Sequence, residues 1–139
     1  MQDLIKATKA LSDETRLRLL NLALARECCV CEVMQALNIS QTRASRNLKA
    51  LHEAGFLKLR KNGLWSLYSV DEEGMRAHYP HLLPAVKRAL QNNATAAKDR
   101  ARLKKAVYDQ IIRLQTQCLK SHLDTSGSPV DKFKESRNK

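Results

Sequence analysis

Three cysteines stand within four positions of this chain, at Cys28, Cys29 and Cys31. Thiolates are soft ligands and reactive nucleophiles, so such a run suits a soft metal or metalloid ion, or thiol oxidation, better than ordinary core packing. We therefore predict Cys28, Cys29 and Cys31 as metal ligands. The alternative is that Cys29 is a semi-buried packing residue and its neighbours are incidental.

The spacing of these thiols predicts a conformational change on binding. On a helix over 29–37, Cys28 points outward and lies one turn before Cys31, so these two could share a ligand. Cys29 and Cys31 flank opposite sides of the face centred on Val30. All three thiols would reach one ion only if the first turn of the helix unwinds, and the next helix would then shift.

Other candidate residues are weaker. Cys118 lies on an apolar stripe of the last helix, where packing is the expected role and a fourth thiolate or cross-subunit ligand the alternative. His78 and His81 are spaced i and i+3, but no acidic or cysteine partner completes a tetrahedral zinc set. Trp65 and Tyr68 are expected to pack a small hairpin. The chain has no Gly-rich phosphate loop, nucleophile elbow or paired-carboxylate pattern, so we do not expect an enzyme.

The elements that position the cysteines are mostly helical, since glycines and prolines are few. Ser12-Asp13 and Ser40 are typical N-caps, and Gly55 suits a left-handed residue after a helix. Apolar residues at helical spacing, such as Leu17, Leu20 and Leu24 facing inward, predict helices over 3–11, 14–26, 29–37 and 41–54.

A hairpin is predicted after Phe56. Residues 57–60 alternate with period two, residues 65–70 are rich in strand formers, and Asn62-Gly63 between them is a strong turn signal. A short helix over 83–91 and a longer one over 95–122 follow. The longer helix carries an apolar stripe, which usually needs a partner. The residues of that stripe are Leu103, Val107, Ile111, Leu114 and Cys118.

Two short helices, a tight turn and a basic hairpin make a winged helix-turn-helix. The second of those helices has Ala44, Leu48 and Leu51 on its inner face and short polar and cationic side chains elsewhere, which suit a DNA groove. The net charge of +11 favours a polyanion. The predicted DNA contacts are Ser40, Gln41, Thr42, Arg43, Ser45, Arg46 and Lys49 on the helix, and Lys58, Arg60 and Lys61 on the wing.

At 139 residues the chain predicts one α+β domain with a two-stranded β-hairpin wing. We divide it into a DNA-binding domain over 1–93, a dimerisation helix over 94–123 and a disordered tail over 124–139. The first and last helices are expected to form a homodimer. No apolar stretch reaches the roughly 20 residues of a membrane span, and no signal peptide is recognised, so a cytoplasmic protein with reduced thiols is expected.

Three segments resemble the ArsR/SmtB family of metalloregulatory repressors. They are the opening over 9–20 (KALSDETRLRLL), the cysteine run over 27–33 (ECCVCEV), similar to the arsenic-sensing signature ELCVCDL, and the segment over 37–55. The resemblance implies a homodimer that binds double-stranded operator DNA and releases it when trivalent arsenic or antimony is held by three thiolates. Two of these map onto Cys29 and Cys31. The family often has its third cysteine where this chain has Met34, so Cys28 or else Cys118 would substitute.

We therefore expect an arsenite- and antimonite-responsive repressor without an organic cofactor. The family's zinc-sensor pairs on the last helix are not recognisable here, which disfavours a zinc sensor. Two alternatives stay open. One is a repressor regulated by oxidation of the three cysteines. The other is a non-regulatory basic protein that binds DNA or stores metal.

Overall fold

The computed structural model describes residues 1–106, which form a mostly helical domain with a small antiparallel sheet. A further helix begins at residue 94 and is described as far as residue 106. The elements before it are α1 (Gln2–Leu11), α2 (Glu14–Ala25), β1 (Cys28–Cys29), α3 (Val30–Leu37), α4 (Gln41–Glu53), β2 (Leu57–Asn62), β3 (Trp65–Val70), α5 (Glu72–His78) and α6 (Leu82–Gln91).

Both ends of α4 are fixed by local hydrogen bonds. At its start the Ser40 side chain accepts from the Arg43 backbone N–H at 3.2 Å. At its end Gly55 has φ +90°, and the Phe56 N–H donates to the Leu51 carbonyl at 3.0 Å. This 6→1 bond is that of a Schellman motif, which needs a left-handed residue before it. The expected Ser40 cap and left-handed Gly55 are confirmed.

Replacing the cap should weaken α4 by a small, measurable amount. We expect Ser40→Ala to lower the free energy of unfolding by about 1 kcal/mol, because one N–H of the first turn loses its acceptor. Ser45→Ala, in the interior of the same helix, is the control and should cost nothing, since alanine is the better helix former. Urea unfolding measures both, and equal losses would contradict a capping role for Ser40.

The cysteine segment departs from the predicted helix over 29–37. The helix starts one residue later, and Cys28 and Cys29 instead form β1, which pairs antiparallel with β3. In the register Cys28 lies opposite Tyr68, and Cys29 opposite Leu67. The sheet therefore has three strands in the order β1-β3-β2, not the two predicted. Helical periodicity could not reveal this, because the pairing joins residues far apart in sequence.

The hairpin turn and the segment after it also differ from expectation. Asn62 pairs with Trp65, so the loop is Gly63-Leu64 and not Asn62-Gly63. Positive φ at Gly63 (+61°) but not at Leu64 matches a type II′ turn. The helix α5 was not predicted, although Asp71 caps it by accepting from the Gly74 N–H at 3.0 Å.

The core lies between α2, α3, α4 and the base of the sheet. The predicted inner face of α4 is confirmed, because Ala44, Leu48 and Leu51 are fully buried. On α2 the inward prediction was right for Leu20, but Leu17 and Leu24 are only partly buried. The other fully buried large side chains of the described residues include Leu19, Leu22, Val33 and Phe56.

The helix over 94–106 packs on this core. Leu103 is 1% exposed and belongs to the core of its own chain, so the stripe predicted to meet a second subunit is wrong at this position. The buried Asp99 accepts from Arg18 of α2 at 2.8 Å through both oxygens. Within 1–106, no helix combines the length and apolar character that a membrane crossing requires. The predicted stripe and ligand residues Val107, Ile111, Leu114 and Cys118 lie outside the described residues.

Candidate cysteine site and DNA-binding surface

The three candidate thiols lie in three different environments. Adjacent residues of a strand point to opposite faces, so Cys28 and Cys29 diverge. Cys28 is fully buried in the hydrophobic core, Cys29 is 2% exposed, and Cys31 is exposed in the first turn of α3. The prediction that Cys28 points outward was wrong. Cys29 and Cys31 are the N-cap and the second residue of α3.

Cys29 is held by a capping box. The Glu32 carboxylate accepts from the Cys29 backbone N–H at 3.1 Å, and the Cys29 side chain caps the backbone N–H of Glu32. Glu32 is buried and forms an ion pair with Arg26. The Cys29 sulfur thus occupies a fixed place at the start of α3. A ligand that takes this sulfur competes with the cap of the helix.

Burial also sets the protonation of Cys28. Desolvation, followed by the negative charge of Glu32, raises the pKa of the Cys28 thiol to about 12. A thiol is a nucleophile and a metal ligand as its thiolate, so Cys28 is unreactive while β1 stays in place.

Alkylation should therefore separate these cysteines. Treating the folded chain with iodoacetamide at about pH 8 should modify Cys31 quickly and leave Cys28 unmodified, because the pH lies well below the raised pKa of Cys28. In denaturant both thiols should react, since the unfolded pKa returns to its ordinary range. Peptide mapping by mass spectrometry reads out each site. Rapid labelling of Cys28 in the folded chain would show that β1 opens readily.

Within residues 1–106, three thiolates are not assembled in advance. Among the described residues, no group of three or more His, Cys, Asp or Glu side chains is placed to hold a metal ion. The donor chemistry still fits a trivalent metalloid, because Cys29 and Cys31 supply two soft donors in one helical turn. A third thiolate from Cys28 requires β1 to leave its pairing with β3.

The wing is tied to the segment that precedes the cysteines. On β2, the Arg60 guanidinium donates to both carboxylate oxygens of Glu27, at 2.5 and 3.3 Å. This hydrogen bond holds the pKa of Glu27 below its usual range. Arg60, predicted as a DNA contact, is thus engaged within the chain. Lys61 donates to Ser66 across the hairpin at 2.9 Å, and Lys58 is exposed.

Helix α4 presents most of its predicted DNA contacts to solvent. Gln41, Thr42, Arg46 and Lys49 are exposed, and Ser45 is half-buried. Two other predicted contacts have structural partners. Ser40 caps α4, and Arg43 donates to the Thr15 hydroxyl at 2.8 Å, which fastens α4 to α2.

Reasoning from sequence missed Glu27 and Glu32, the two acidic residues that flank the cysteine run. The spacing from Cys29 to Glu32 is that of a capping box with cysteine in place of serine or threonine. That signal was available for Glu32. The pairing of Glu27 with Arg60 had none, since it depends on how the hairpin folds back.

Comparison with known proteins identifies the family. Residues 13–58 match the model of the arsR family of bacterial regulatory proteins. The arsenic resistance transcriptional regulator ArsR1 of Pseudomonas putida is 46% identical over 67 residues, which are 47% of this chain and 52% of that protein. The chain thus spans about half the length of this relative. The arsenical resistance operon repressor of Staphylococcus xylosus is 32% identical over 72 residues, 52% of this chain and 69% of that protein.

Comparison with solved structures points to the same family. The homodimeric winged helix-turn-helix DNA-binding domain of Mb0332 from Mycobacterium bovis superposes with a TM-score of 0.52 at 28% identity, over 60% of this chain and 79% of that one. These matches confirm the winged helix-turn-helix, and they assign the chain to DNA-binding regulators and not to enzymes. The chain belongs to the arsR family of bacterial regulatory proteins.

Proposed function

We propose that this protein is a metalloid-responsive transcriptional repressor, which binds operator DNA as a homodimer and releases it when trivalent arsenic or antimony binds its cysteine cluster. One observation carries the proposal. The cysteine strand β1 is hydrogen-bonded to β3 of the wing, so a ligand on these thiols acts on a DNA-binding element through its backbone. The names of relatives as arsenic and arsenical resistance regulators support the choice of ligand.

The proposed site uses the three thiols in sequence. Cys29 and Cys31 bind first, because they share the first turn of α3 and Cys31 is open to solvent. Cys28 supplies the third thiolate once β1 separates from β3, which takes its side chain out of the core. Soft thiolates match a three-coordinate ion with a lone pair. Lost pairing between β1 and β3 then displaces the wing and lowers the affinity for DNA.

The DNA-binding part of the proposal places α4 in the major groove. Its exposed amide and guanidinium groups at Gln41 and Arg46 suit base edges, and Thr42, Ser45 and Lys49 lie beside them. Lys58 and Lys61 of the wing contact DNA phosphates. Arg60 does so too when its ion pair with Glu27 breaks. The first and last helices form the dimer, and the domain divisions over 1–93, 94–123 and 124–139 remain part of this proposal.

The two parts of this surface should respond differently to mutation. We expect Arg46→Ala and Gln41→Ala each to cost about 1–3 kcal/mol of discrimination between the operator and other sequences. Lys61→Ala should weaken binding to every sequence alike. It should also reduce the slope of log affinity against log salt concentration by about one unit. Fluorescence anisotropy on operator and scrambled duplexes measures both. Unchanged operator affinity in both helix variants would remove α4 from recognition.

Titration of the full chain on labelled operator DNA tests the function. Arsenite should release the DNA with one metalloid per subunit, in the presence of a monothiol reductant. Release by peroxide, reversed by reductant and without metalloid stoichiometry, would instead show a redox repressor. DNA binding that depends neither on the DNA sequence nor on arsenite would show a general DNA binder or a metal store.

A further inference from the structure

A series of polar contacts connects the first turn of α3 to the helix over 94–106. The Cys29 backbone N–H donates to Glu32, the Glu32 carboxylate pairs with Arg26, and the same Arg26 nitrogen donates to the Leu103 carbonyl at 3.3 Å. The other terminal nitrogen of Arg26 donates to the Glu27 carbonyl at 2.8 Å. One guanidinium therefore joins the residue before the cysteines, the helix that follows them, and the helix over 94–106.

Glu32, the central residue of this series of contacts, is buried. The Glu32 side chain is only 8% exposed, whereas that of Arg26 is 34% exposed. A buried carboxylate is costly unless each oxygen has a partner, and one oxygen faces the Cys29 N–H and the other faces Arg26. The two halves of the carboxylate are thus committed to two different parts of the chain. Moving either partner leaves a buried oxygen unsatisfied, so the positions of the two partners are coupled.

We propose that Glu32 is a positioning residue that couples ligand binding at Cys29 to the helix over 94–106, an inference that rests on the proposed function. When the Cys29 sulfur leaves the backbone N–H of Glu32 to bind a metalloid, the capping box opens. Glu32 then shifts, and Arg26 loses the anchor that holds it against the Leu103 carbonyl. This route differs from the pairing of β1 with β3, because it passes through the Glu32 and Arg26 side chains to the helix over 94–106.

Three variants of the full chain test the coupling. Glu32→Gln keeps an acceptor for the Cys29 N–H and loses the charge that holds Arg26. Arg26→Gln leaves the capping box intact and removes the link to Leu103. Arg100→Gln is the matched control, because Arg100 also joins the helix over 94–106 to α2, through a 2.7 Å bond to Asn21, and its other terminal nitrogen donates to the Gln91 carbonyl.

The quantity to compare is the ratio of operator Kd with and without saturating arsenite. We expect Glu32→Gln and Arg26→Gln to reduce this ratio by about tenfold relative to the parent, a change of the size of ordinary allosteric coupling. Arsenite affinity, followed by sulfur-to-arsenic absorbance in the ultraviolet, should stay within about threefold in Arg26→Gln, because its thiols and cap are intact. Arg100→Gln should keep the parent ratio.

Hydrogen exchange supplies a readout that a merely structural role would not move. Arsenite should raise exchange over residues 94–106 in the parent and in Arg100→Gln, but not in Arg26→Gln. Parent-like ratios in both Glu32→Gln and Arg26→Gln, or an equal loss in Arg100→Gln, would overturn the inference. A parent chain that keeps its DNA under arsenite would overturn the proposed function itself.

Discussion

Cys29→Ser and Cys31→Ser should each bind operator DNA like the parent and lose the response to arsenite. Serine keeps the approximate size of the side chain and, at the N-cap of α3, is a good capping residue, so the fold and the DNA surface are retained. What disappears is the soft donor. Anisotropy titration of arsenite into the preformed operator complex measures the response, and normal release by either variant would exclude that cysteine as a ligand.

For Cys28→Ser we expect a loss of stability in addition to a loss of the response. The response should be lost if Cys28 is the third ligand, and stability should also fall, because a hydroxyl replaces a thiol in the core. Cys118→Ser should respond like the parent. If Cys28→Ser responds normally and Cys118→Ser does not, the third thiolate comes from the last helix. If all four serine variants still release DNA, the sensing hypothesis fails.

Phe56→Ala should lower the free energy of unfolding by about 3–5 kcal/mol, the usual cost of deleting a buried aromatic ring. Phe56 is fully buried and lies in the chain between the end of α4 and the start of β2. Urea unfolding of the full chain measures the loss. Because operator binding stabilises only the folded state, excess operator should recover part of it.

Leu59→Ala is the matched control for this prediction. Leu59 lies on β2, three residues after Phe56, but is 38% exposed, so its truncation should change stability by no more than about 0.5 kcal/mol. Similar losses in the two variants would show that the wing as a whole, and not the packing of Phe56, sets the stability.

The sequence was most informative where structure is local. Ser40 and Gly55 bracket α4 correctly because a cap and a left-handed turn depend on residues within a few positions. The inner face of α4 follows from the period of its apolar residues. The same reasoning failed at Cys28, since its conformation depends on a hydrogen-bonded partner, Tyr68, forty positions away in sequence.

The candidate site shows the same division. The cysteine run predicts thiolate ligands, which stays a prediction, and the contact between α3 and α4 could be expected from the order of elements. The contacts that connect the site to the rest of the chain could not. Glu27 meets Arg60, and Arg26 meets the Leu103 carbonyl, only because the hairpin and the helix over 94–106 fold back onto the cysteine segment. Likewise, the sequence pattern predicts Leu103 as an interface residue, because it does not show that Leu103 packs into the core of its own chain.

The different environments of Cys28 on β1 and Cys31 on α3 have a consequence for engineering. Position 28 is constrained by volume, because its side chain fills part of the core, whereas position 31 faces solvent and tolerates changes of chemistry. Under the proposed function, a reporter with altered ion preference should therefore be sought by replacing Cys31, with histidine or aspartate for harder ions. Changes at Cys28 belong with redesign of the core, where small apolar residues are the ones to try.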